Sequence, residues 1–89
     1  MTLAIDWNSA QRIKVSITLN GHATSFALEK SFLALLQQDA GERTIALARL
    51  VSEVDAVRPP NVNLSTALRI YALELIKRQR GVNDTNKFN

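Results

Sequence analysis

A chain of 89 residues has room for one small domain, and without cysteine it has no disulfide or thiolate-bound metal to supplement the core, so oligomerisation is the expected route to more buried area. A composition of 46% hydrophobic and 21% charged residues excludes disorder, and no apolar run nears the ~20 residues of a membrane span. The net charge of +3 comes entirely from residues 61–89, where five bases face two acids, because residues 1–60 carry six of each.

Residues Met1 to Asp6 lack the basic start and long apolar stretch of a signal peptide, and a cytoplasmic location is expected by default. Residues 1–11 show no sustained period and read as an N-terminal arm. Trp7, the only tryptophan, is expected to pin that arm by packing onto the body or onto a partner.

The clearest local signal follows. Ile13, Val15, Ile17 and Leu19 alternate with Lys14, Ser16 and Thr18, the period of a strand with one buried face. Asn20-Gly21 then suits a two-residue type I′ turn, where both positions need positive φ. Residues His22 to Leu28 run back as a second strand. A two-residue turn sets Leu19 opposite His22, Ile17 opposite Thr24, Val15 opposite Phe26 and Ile13 opposite Leu28, so the large apolar residues share one face. Lys14, Ser16, Thr18, Ala23, Ser25 and Ala27 form the other.

A first helix is expected from Glu29 or Lys30, with Phe32, Leu33, Leu35 and Leu36 as its apolar stripe and Gly41 as its C-terminal cap. Thr44 is the expected N-cap of a second helix, whose Leu47, Leu50, Val51, Val54 and Val57 recur at helical spacing. Arg58-Pro59-Pro60-Asn61 ends it. A third helix is capped by Asn63 or Ser65, with Thr66 a further capping candidate. Leu64, Ala67, Leu68, Tyr71 and Leu75 line one side of it, and Ile70, Leu73 and Ile76 load the flank, a distribution that calls for burial on more than one side, with a partner chain as one candidate cover. Residues 81–89 are polar and read as a flexible tail. The expected architecture is α+β: an N-terminal β-hairpin followed by three helices, in a domain spanning 12–80.

The order of elements, and more specifically Gly21-His22, Thr24-Ser25, Leu28-Glu29, Phe32 and Asn63-Leu64-Ser65-Thr66-Ala67-Leu68-Arg69, resembles a bacterial branch of the ribbon-helix-helix superfamily over about residues 12–78. The resemblance implies an intertwined two-fold dimer in which one strand from each copy pairs and enters the major groove of double-stranded DNA. On that mapping Thr24, Phe26 and Leu28 point to the core while Ala23, Ser25 and Ala27 face the DNA. Two alanines offer base edges only methyl contacts, where DNA binders present hydrogen-bonding side chains. An extra strand in each copy also gives a dimer four strands, too wide for deep insertion.

Candidate chemistry is sparse. His22 is the only histidine and has no second histidine or cysteine to share a metal with, so no metal is expected. Ser25, Ser31, Ser52 and Ser65 lack a nucleophile-elbow setting, Asp39, Glu42, Glu53 and Asp55 are spaced as solvated helix faces, and the three glycines mark turns or helix ends rather than a phosphate loop. No cofactor and no catalysis is expected. The expected DNA contacts are Lys14, Ser25 and Arg69, with Lys77, Arg78 and Arg80 adding salt-dependent attraction to phosphate. The basic end has a second reading, since lysine and arginine also offset a helix dipole near its C-terminus. Arg69 has one too: an ion pair with Glu29 or Asp55 across the dimer. The functional expectation is a dimeric DNA-binding protein acting as a transcriptional regulator; the alternative is a dimeric protein-interaction or assembly module that has lost DNA readout, with the edge of its extra strand open to a partner.

Overall fold

The computed structural model describes the backbone of residues 2–88 and the side chains of residues 2–79. A 3-10 turn (Trp7–Ala10) leads into strand β1 (Arg12–Leu19) and strand β2 (His22–Glu29), followed by helices α1 (Lys30–Arg43), α2 (Leu47–Val57) and α3 (Leu64–Phe88). The tail expected over 81–89 lies outside the residues described with side chains.

The hairpin has the expected register, from Leu19 opposite His22 to Ile13 opposite Leu28 and Arg12 opposite Glu29. Asn20 at φ 52° and Gly21 at φ 82° supply the two positive φ values that the turn demands. Burial alternates accordingly: Phe26 and Leu28 are buried, and Ala23 and Ser25 are exposed. The inward face of β1 is covered less completely. Leu19 is buried, but Ile13, Val15 and Ile17 are only partly buried.

The core joins all five elements through Leu19, Phe26 and Leu28 of the hairpin, Leu36 and Ala40 of α1, Leu50, Val51 and Val54 of α2, and Ala67, Leu68 and Ala72 of α3. Leu28, Leu36, Val51 and Leu68, one from β2 and one from each helix, are fully enclosed. Burying each such side chain stabilises the fold by about 1.5–3 kcal/mol.

The boundary between α1 and α2 departs from the sequence expectation. Gly41 is inside α1, and Thr44 takes the left-handed conformation (φ 57°, ψ 45°) that ends the helix. Thr44 N–H donates to Gly41 C=O at 3.1 Å and Ile45 N–H to Ala40 C=O at 2.9 Å, the paired bonds of a Schellman motif. These bonds and the packing of Ile45 on the core hold a β-branched residue where glycine is favoured. Thr44 therefore caps the end of α1 rather than the start of α2, which begins after Ala46 with no side-chain cap.

One further correction concerns α2, and two details concern α3. Val57 is 81% exposed and lies off the buried stripe, and Ile70 and Leu73 are each about half exposed, so the flank of α3 is uncovered within one copy. At the start of α3 the cap is Asn63, whose Oδ1 accepts from Thr66 N–H at 2.8 Å. Ser65 does something else: its hydroxyl donates to the Ala27 carbonyl of β2 at 2.8 Å, fastening the helix to the strand.

Candidate functional site

The surface that a partner can reach on the hairpin is its outer face. Lys14, Ser16 and Thr18 of β1 and Ala23 and Ser25 of β2 are exposed there, while Ala27 is half-covered. Ser16 is directly opposite Ser25, and Lys14 is opposite Ala27, one diagonal step from Ser25. Two of the six expected DNA contacts, Lys14 and Ser25, thus share one face. The apolar period of the opposite face dictates this placement, because a strand with one side buried has no freedom to turn the other side in.

Arg69 is placed differently. Its Nε donates to Glu29 Oε1 at 2.9 Å and its Nη2 to Oε2 at 3.3 Å, a two-pronged pair joining α3 to the end of β2. The pair forms within one chain, not across a dimer as one sequence reading had it, and Asp55 instead pairs with Arg58 at 2.7 Å. Hydrogen bonding to Arg69, foremost, holds the Glu29 carboxyl below its ordinary value near 4.5. Arg12, across the strand pair from Glu29, adds to the effect.

Lys77 and Arg78 are exposed farther along α3, and Lys77 contacts Glu74 at 3.3 Å. The Arg80 side chain lies outside the described residues. The basic end of the helix is therefore a separate patch in sequence from the hairpin face, connected to it through Arg69 and Ser65.

A polar network missed by the sequence reading ties the helices together. Tyr71 of α3 donates to Asp39 Oδ2 of α1 at 2.5 Å, and Arg43 approaches the same carboxylate at 3.8 Å. Arg43 also donates to both oxygens of Glu53 on α2, at 2.7 and 3.0 Å. Burial, and then the bond to Asp39, raises the Tyr71 phenol above its ordinary value. Asp39, expected on a solvated face, has a side chain only 14% exposed. No local signal marks it, since its partner is 32 residues away.

His22 is exposed beside the turn. Among the described residues no group of three or more His, Cys, Asp or Glu side chains converges as a metal site would require. The cleft between α1 and α3, lined by Leu35, Gln38, Asp39, Leu75, Ile76 and Gln79, has room for little more than a water molecule. Among the described residues no helix is long and apolar enough to cross a membrane.

A family model described as a ribbon-helix-helix domain matches residues 12–76. The match runs from the first residue of β1 into the middle of α3, and so takes in the whole hairpin face and Arg69. No curated protein and no solved structure matches the chain.

Proposed function

The chain belongs to the ribbon-helix-helix domain family, and from that premise we propose that it is a homodimeric DNA-binding protein acting in transcriptional regulation. The observation that carries the proposal is the exposed outer face of the hairpin, where Lys14, Ser16, Thr18 and Ser25 form a small polar surface on two paired strands.

The composition of this face sets the kind of binding. Ala23 and Ala27 cannot hydrogen-bond to base edges, and Ser25 reads them permissively. A two-fold pairing through β2 assembles four strands, with about 14 Å between the outermost ones at roughly 4.8 Å per step. The major groove is about 12 Å wide. The sheet then rests across the groove rather than in it, so that Lys14 and the bases of α3 meet phosphates and supply affinity with little sequence discrimination. Arg69 is held by Glu29 and contributes to DNA chiefly by fixing α3 against β2.

The test is the slope of log affinity against log salt for a random-sequence duplex. Each phosphate contact removed lowers the slope by about 0.9. Lys14→Ala is expected to lower it by about two contacts per dimer, and joint replacement of Lys77, Arg78 and Arg80 by more. An unchanged slope in both variants contradicts the assignment.

A second reading is favoured by the alanines at positions 23 and 27 together with the uncovered edge of β1. It keeps the dimer but assigns it to protein interaction or assembly. Loss of duplex binding at every salt concentration, with the fold intact, would select it.

A further inference from the structure

The hairpin has a vacant place beside β1. Because Leu19 and His22 close a two-residue turn, the pairs exchanging backbone hydrogen bonds are those of Leu19, Ile17, Val15 and Ile13. The N–H and C=O groups of Lys14, Ser16 and Thr18 therefore point away from β2, and among the described residues no backbone group meets them. On the same side Ile13, Val15 and Ile17 are only partly buried, although Phe26 and Leu28 across the pair are buried. A strand added here would satisfy the edge and finish covering those three side chains.

The chain carries a segment with the matching pattern. Leu3, Ile5 and Trp7 are spaced by two and are 77%, 46% and 73% exposed, the largest concentration of uncovered apolar side chains in the sequence order. Residues 2–6 belong to no helix or strand. With Trp7, the first residue of the 3-10 turn, drawn into the same extended run, the three large side chains fall on one face, as those of β1 do. The arm is not on the vacant edge of its own β1. The 3-10 turn that connects them is capped by Asp6, packs on α1, and hands over to Gln11, whose carbonyl accepts from Lys30 N–H at 2.9 Å.

We infer that residues 3–7 of one copy add as a strand to the free edge of β1 in a second copy, with Leu3, Ile5 and Trp7 laid over Ile13, Val15 and Ile17. Donor and acceptor are both present in every copy, so two copies can exchange arms reciprocally and close on a two-fold axis. The tryptophan ring alone brings roughly 150–250 Å². Two exchanged arms, counted with the surfaces they cover, reach about the 1,200–2,000 Å² of a stable interface. The association is separate from any pairing through β2 and does not depend on DNA.

Trp7 is the only tryptophan and reports on its own docking. Light scattering and tryptophan emission are followed together as the full-length protein is diluted from high micromolar concentration. The expected result is blue-shifted emission that moves to the red as the mass halves. Leu3→Asp, at a position exposed within the copy, is expected to halve the mass at all concentrations and to leave Trp7 in water. Ser16→Pro, which removes an outward N–H while sparing the bonds to β2, is expected to do the same, with far-ultraviolet circular dichroism verifying the fold. A mass indifferent to Leu3→Asp overturns the inference. So does blue emission that persists on dilution at constant mass, since the arm would then be folding onto its own chain. Duplex binding retained by a Leu3→Asp protein of halved mass separates this inference from the function proposed above.

Discussion

The two strands of the hairpin have the same length and the same apolar period, yet they are held very differently. β2 is anchored on its inward face by Phe26 and Leu28 and at its C-terminal end by α3, through Ser65 on the Ala27 carbonyl and Arg69 on Glu29. β1 has three partly buried inward residues and an unoccupied edge. The difference follows from where the helices pack: α1 and α3 both contact β2, while α2 contacts β1. One strand fixes the fold, and the other is left available for contact. A hairpin of this kind can present a constant outer face while its outer strand takes on a further partner.

Core truncation gives the largest test of that contrast. Leu28→Ala is expected to cost about 2–5 kcal/mol, because the cavity opens where nothing can collapse into it. Val15→Ala, on the partly buried strand, should cost about 1 kcal/mol. Urea denaturation at fixed protein concentration measures both, and equal losses would erase the distinction between the strands.

The seal along β2 is next. Arg69→Leu should destabilise by about 1 kcal/mol, the value of a charged, two-pronged contact discounted for partial exposure. The Glu29 carboxyl titrates below its ordinary value near 4.5 in the folded protein. Its contribution is therefore fully present above that value and is lost as the pH falls through the lowered one. Glu29→Gln should flatten that part of the acid stability profile; a profile as steep as the parent's would show that the pair contributes nothing.

The smallest effect concerns the connection outside the hairpin. Thr44 occupies a left-handed position, so Thr44→Gly should raise stability by about 0.5–1 kcal/mol after the entropy glycine gains in the unfolded chain is subtracted. Thermal melting checks it. A loss of stability would mean that the Thr44 side chain contributes more than the backbone strain it imposes.

Much of this arrangement was legible before any coordinates. Period-two alternation and Asn20-Gly21 gave independent support for one register, and both hold. Lys14 and Ser25 were expected on a common face because the alternation leaves them no other. The α1–α2 boundary was misread because Gly41 stands where a cap is usual, while the actual stop depends on Ile45 packing into the core. Contacts between distant residues were the least legible. Tyr71 reaches Asp39, and Arg69 reaches Glu29 in its own chain, only because α1 and α3 pack together and on β2. Trp7 is 73% exposed within one copy, so of the two expected packing surfaces, the body and a partner, its own body is not the one it packs on.

The central claim is that the outer face of the hairpin and the basic stretch of α3 meet nucleic acid. The most direct measurement is fluorescence anisotropy of a labelled random-sequence duplex across a series of salt concentrations. The account predicts micromolar binding that weakens steeply as salt rises. No binding at the lowest salt would contradict it and leave the dimer as an assembly module.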